Sequence, residues 1–275
     1  MVKIIMAKNY GICFGVKRAI GVLEKNKGIA YTLGPIIHNR QVVNEFKRKN
    51  IKPINYLSSR QKGHKLFIRA HGVPQTEIDT AVRKGYRVVD LTCPYVKRSQ
   101  ILAKELEKNG YKVVIIGQKN HPEIMAVASN LKSPLIVETP EDLKMVKKTE
   151  KIGVIYQTTL DTQLTKKLIP ALKKKSKNIR ICNTICQATK ERQRAAVELA
   201  KKVDLVIVIG GKNSSNTNKL RAISEKYVLT YHVETASEII KHWLIGKNLV
   251  GITAGASTPN SITKKVVDKI KYLTK

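Results

Sequence analysis

The chain has 275 residues, 42% of them apolar, and carries 52 Lys+Arg against 20 Asp+Glu, a net charge of +32. That apolar content excludes a disordered chain, and the longest apolar runs, such as Leu205–Ile209, are far too short to span a membrane. The opening MVKIIMAKNYG is too briefly apolar for a signal peptide, so a cytoplasmic protein with no membrane partner is expected. The lysines are spread along the chain, and the aromatics, 5% of residues, are not interleaved with basic runs, which argues for a solvated lysine-rich surface over a nucleic-acid partner. Four cysteines in so long a chain do not read as a disulfide framework; metal binding or catalysis is the better reading.

In chain order, an apolar strand from Val2 to Met6 precedes Cys13, and a helical pattern runs from Val16 to Lys25. The strand YTLG ends at Gly34, four residues before His38, and LFIRAHG ends near His71. A second strand, Tyr86 to Val89, leads to DLTCPYVK. There Cys93 stands before Pro94 at a helix start, with Thr92 or Asp90 as the expected cap. VVIIG then ends at Gly117, four residues before His121, with Glu123 in the same HPE turn, and VIYQTTL carries Thr158. A third strand around Ile179–Ile181 leads to Cys186 and a helix from Ala188 to Lys202; VIVIG ends at Gly210, four residues before Ser214, and LVGITAGAS ends at Ser257.

The same landmarks thus recur three times. Cysteine follows strand and precedes helix at 13, 93 and 186, and a strand-ending glycine comes 34−13 = 21, 117−93 = 24 and 210−186 = 24 residues later. Near-continuous apolar strands alternating with helices predict parallel sheets covered on both faces, with polar residues gathered at the strand C-termini. The expectation is an α/β protein of three small, pseudo-threefold-related domains, 1–92, 93–184 and 185–275, around a central cavity.

Three thiolates from three domains suit one soft metal centre: zinc with an open position, or an iron–sulfur cube with one iron lacking a protein ligand. Cys182, in CNTIC, reads as a core residue on the strand before Cys186. NSSN (Asn213 to Asn216) at a strand–helix turn favours phosphate, AGAS (Ala254 to Ser257) lets backbone approach a ligand, and His38 and His71 offer donors. Together these residues predict a dense anion such as a diphosphate, with Glu123 as a proton source. Each has a plainer reading: the histidines structural, NSSN a capping turn, and Glu123 a first-turn carboxylate favoured by the helix dipole.

Nine ordered motifs carry a resemblance: YGICFGVKRAI, IIHNRQVV, RAHGVP, DLTCPYVKR, NHPEIMAV, YQTTLD, NTICQATKERQ, GGKNSSNTNKL and AGASTPNSI. The sequence resembles the 4-hydroxy-3-methylbut-2-enyl diphosphate reductase family over nearly its whole length. The resemblance implies a trefoil around one [4Fe–4S] cluster per chain, held by Cys13, Cys93 and Cys186, with one iron lacking a protein ligand. It implies reductive removal of an allylic hydroxyl with electrons from reduced ferredoxin or flavodoxin, giving isopentenyl and dimethylallyl diphosphates, the last step of the methylerythritol phosphate route. It implies that His38, His71, Ser214, Ser215, Asn216 and Ser257 bind the diphosphate. It implies further that His121 lines the pocket, that Thr158 orients the substrate hydroxyl and that Glu123 supplies the proton. Three alternatives remain: another threefold cluster dehydratase of the quinolinate-synthase kind, a zinc hydrolase, or a basic nucleic-acid-binding protein.

Overall fold

The computed structural model describes residues 2–275. The chain divides into two compact units: the N-terminal residues to Lys17 with His38–Gln41 and Gln187–Lys275, and Arg18–Ile37 with Val42–Cys186.

The first unit holds a four-stranded parallel sheet in the order β1-β12-β10-β11, built from β1 (Lys3–Met6), β10 (Leu205–Ile209), β11 (Thr230–Val233) and β12 (Leu249–Ala254). Every residue of β10 is buried, because both faces of the sheet are covered. Leu205, Ile207 and Ile209 pack towards α9 (Asn260–Leu273) with Val266 and Ile270. Val206 and Val208 pack towards α7 (Gln187–Ala200) and α8 (Ser215–Ser224) with Ala196, Leu199 and Leu220.

The second unit holds two further four-stranded parallel sheets. One has the order β3-β2-β4-β5, from β2 (Ala30–Leu33), β3 (Ile51–Ile54), β4 (Lys65–Ile68) and β5 (Arg87–Asp90). The other has the order β7-β6-β8-β9, from β6 (Lys112–Ile116), β7 (Leu135–Val137), β8 (Lys151–Tyr156) and β9 (Asn178–Cys182). On one face of the latter, Val114, Ile116 and Val154 meet Leu168 and Leu172 of α6 (Thr162–Lys173). On the other, Val113, Ile115 and Ile155 meet Leu106 of α4 (Pro94–Lys108) and Ile124 of α5 (Pro122–Ala128). Cys182 ends β9 and packs against this second cluster, though it is only partly buried and not the fully buried core residue the sequence suggested.

All three sheets repeat one strand order, and the strand that leads to a cysteine (β1, β5 or β9) lies at a sheet edge. The N-terminal strand does not join the sheet of residues 30–90: β1 adds to β12 in register Lys3↔Leu249 to Met6↔Ile252, and so belongs to the C-terminal sheet. Strand pairing is non-local, and no property of the short run KIIM specifies its neighbour. Neither Thr92 nor Asp90 caps α4. Cys93 itself occupies that position, and Asp90 accepts a hydrogen bond from the Thr92 N–H at 2.8 Å and pairs with Lys97 at 2.6 Å. Pro94 has no N–H to be capped, which lowers the demand for a side-chain oxygen there.

Candidate active site

Each of the three cysteines sits in the same local frame. The N–H of Cys13 donates to the carbonyl of Ala256 at 3.1 Å, that of Cys93 to Ala70 at 3.0 Å, and that of Cys186 to Thr158 at 3.1 Å. Each acceptor lies two residues beyond the end of a central strand, β12, β4 or β8. These tips also carry Ser257, His71 and Thr158, so one backbone bond per repeat ties a cysteine to a polar loop tip. All three thiols are half-buried and in no disulfide.

In the second unit Thr158 is the hub. Its N–H donates to Glu123 Oε1 at 2.6 Å, its hydroxyl donates to Glu123 Oε2 at 2.7 Å, and its carbonyl receives the Cys186 N–H. Glu123 does lie in the first turn of α5, but it is no solvated first-turn carboxylate: it is 2% exposed. Burial pushes its carboxyl up to about 7 from an ordinary 4.5, against the opposing pull of the two Thr158 donors, which favour the ionised form.

His121 caps α5, its Nδ1 accepting the Glu123 N–H at 3.2 Å. That bond leaves the ring proton on Nε2 in the neutral imidazole. His71 packs edge-on against His121, with ring centroids 5.6 Å apart and planes at 83°. The HPE and RAHG turns, some fifty residues apart in the chain, are therefore neighbours.

In the first unit Ser214, Ser215 and Asn216 are buried at the N-terminus of α8. Ser214 acts as the cap, its Oγ accepting the Thr217 N–H at 3.4 Å, so the plain capping reading holds for that one residue. Asn216 differs: its Nδ2 is buried and donates to no described group. An orphaned amide beside a helix N-terminus has a donor to offer an anion. Ser257 Oγ donates to the His38 carbonyl at 3.2 Å, which joins two more of the expected binding residues. Gly211 lies against the same carbonyl, where an added Cβ would come within 2.5 Å.

Sequence reasoning gave no role to Arg18 or Arg192, although both fall inside quoted motifs. Arg18 donates to the Thr92 carbonyl at 3.2 Å, and Arg192 donates to the Gly11 carbonyl at 3.1 and 2.8 Å. Their one signal in the chain is position, five residues after Cys13 and six after Cys186.

The LytB protein family model matches residues 4–271. A curated relative from Dictyoglomus thermophilum, named 4-hydroxy-3-methylbut-2-enyl diphosphate reductase, is 45% identical over 274 residues, covering 98% of this chain and 96% of its own. One of the same name from Aquifex aeolicus is 41% identical over 282 residues, covering 99% and 97%. A solved structure described as (E)-4-hydroxy-3-methyl-but-2-enyl diphosphate reductase, the terminal enzyme of the non-mevalonate pathway, is 40% identical with a TM-score of 0.72, covering 99% of this chain and all of that one. The corresponding Plasmodium falciparum reductase is 29% identical with a TM-score of 0.91, covering 97% and 87%. The chain belongs to the LytB protein family.

Proposed function

We propose that this chain performs the reaction its relatives are named for. It is a 4-hydroxy-3-methylbut-2-enyl diphosphate reductase, an oxidoreductase acting on an allylic hydroxyl in isoprenoid precursor synthesis. Isopentenyl and dimethylallyl diphosphates are the products we assign to it. The observation that carries the residue-level reading is the Thr158 hub, which links a buried carboxyl titrating near 7 to the backbone of Cys186.

Cys13, Cys93 and Cys186 fit an iron–sulfur group. None of them is in a disulfide, all three are held at matching strand–loop–helix junctions, and cysteine thiolates are the ordinary ligands of such clusters. When bound, a [4Fe–4S] cluster with one iron lacking a protein ligand would supply electrons and a Lewis-acid position for the substrate hydroxyl. Reduced ferredoxin or flavodoxin is the electron donor we assign, since carriers of acidic surface suit a partner of charge +32. A cytoplasmic setting is the one we assign, and no helix among the described residues is long and apolar enough to cross a membrane.

The chain's own residues divide the remaining work. The α8 N-terminus, with Ser214, Ser215 and the orphaned Asn216 amide, receives the diphosphate, helped by His38, His71 and Ser257. His121, its Nδ1 engaged, presents Nε2–H as a neutral donor lining the pocket. Thr158 orients the substrate hydroxyl and holds Glu123. Glu123, half-protonated near pH 7, gives up the proton that leaves with the hydroxyl as water. Burial keeps bulk water away from that carboxyl.

The test is anaerobic turnover of the synthetic substrate with dithionite-reduced viologen by the iron- and sulfide-reconstituted chain. The expected outcome is formation of both five-carbon diphosphates. A loaded chain that consumes no substrate would refute the assignment.

A further inference from the structure

Arg192, on α7, is buried at 6% exposure, yet it forms no ion pair with any described carboxylate. Its three hydrogen bonds all end on carbonyl oxygens: Nε and Nη2 on Gly11 at 3.1 and 2.8 Å, Nη1 on Ala188 at 2.9 Å. Its acidic neighbour in the chain, Glu191, receives Gln187 at 2.9 Å instead. A guanidinium keeps its charge at any relevant pH, and a buried charge met only by neutral dipoles is costly unless an anion completes it.

The loop it grips leads to Cys13. Gly11 has φ +72, a conformation open to glycine, and its N–H donates to the Ala254 carbonyl at 3.0 Å. A Cβ there would press on Asn260 Oδ1 at 3.2 Å and the Thr258 carbonyl at 3.3 Å. Two residues on, Cys13 is pinned through Ala256. Arg192 and Cys13 then line one polar cavity of about 500 Å³, together with Lys8 and Asn260. Arg18 repeats the device in the other unit, gripping the carbonyl of Thr92, the residue before Cys93.

We propose that Arg192 is a positioning residue for Cys13: it fixes the elbow at Gly11 and supplies a buried positive charge that is answered by the negative charge of a thiolate-ligated cluster on Cys13. The proposal rests on the reading of Cys13 as a ligand. Cluster potentials respond to nearby charge and hydrogen bonding, so removing this charge makes the added electron less welcome.

The experiment compares the wild-type chain, Arg192→Met, Arg192→Lys and Cys13→Ser, all reconstituted anaerobically. It reads iron and sulfide per chain, the thermal midpoint, and the reduction potential by dye-mediated titration. Arg192→Met is expected to shift the potential to a more negative value, with Arg192→Lys recovering most of the shift because it keeps the charge. If Arg192→Met fails to hold the cluster, retention by Arg192→Lys supports the same conclusion. A fully loaded Arg192→Met with the wild-type potential overturns the proposal. So does an equal shift in both variants, or loss of loading in both, since either makes shape rather than charge decisive. Failure of the underlying reading shows separately: Cys13→Ser would then keep its full iron and sulfide.

Discussion

Glu123→Gln isolates the energetic consequence of the buried carboxyl. The carboxyl is raised from 4.5 to about 7, a displacement of about 2.5 pH units, worth about 3 kcal/mol at about 1.4 kcal/mol per unit. Between pH 4.5 and 7 the folded chain holds this proton while the unfolded chain has released it. Stability from this group is therefore complete below the unfolded value and is lost as pH rises through the folded one. Glutamine has nearly the same shape, can accept from the Thr158 N–H and can donate to the Thr158 hydroxyl, and has nothing to titrate. Urea unfolding of the metal-free wild type and variant at pH 4.5, 6 and 8 is the assay. Relative to wild type, the variant should gain stability with rising pH, by a total of about 3 kcal/mol, while turnover falls roughly 10²–10⁴-fold for want of the proton. Stability curves that stay parallel across this range would refute the raised carboxyl and the proton role built on it.

Thr158→Val removes a hydroxyl donor that favours ionised Glu123. The carboxyl should rise further, moving the alkaline limb of the pH–kcat profile to higher pH, and an unmoved limb would separate Glu123 from that limb. Gly211→Ala drives a Cβ to 2.5 Å from the His38 carbonyl, so the chain should lose about 1–3 kcal/mol and bind diphosphate more weakly, read by urea unfolding and titration calorimetry. An unchanged unfolding midpoint would show that the His38 segment yields freely. Cys93→Ser should lose or destabilise the cluster, measured as iron per chain, and a stable, fully loaded variant would argue against Cys93 as a ligand.

Much of the fold was legible because its signals are local. The runs VVIIG and VIVIG are short, apolar on both faces, end on glycine and alternate with helical patterns, and that combination predicts parallel strands covered on both sides. The strand–cysteine–helix recurrence could be read from spacing. The pairing of β1 with β12, on the other hand, joins residues nearly 250 positions apart, and an edge strand of four residues carries no address. The same limit applies at the site. Glu123 stands in a first turn, where the dipole explains it adequately; only its bond to Thr158, 35 residues away, reveals a buried acid. Arg192 was unreadable for the same reason, since Gly11 lies 181 residues away. Ser215 and Asn216 were candidates both from the NSSN turn, whose position favours phosphate, and from resemblance to a family; the buried Asn216 amide adds a structural ground for one of them.

The most direct measurement is iron and acid-labile sulfide per chain after strictly anaerobic purification or reconstitution. About four of each is the expected result, one cluster on three cysteines. Essentially none, in a chain that remains folded, would contradict the three-thiolate centre, and Cys93 would revert to a residue that begins a helix.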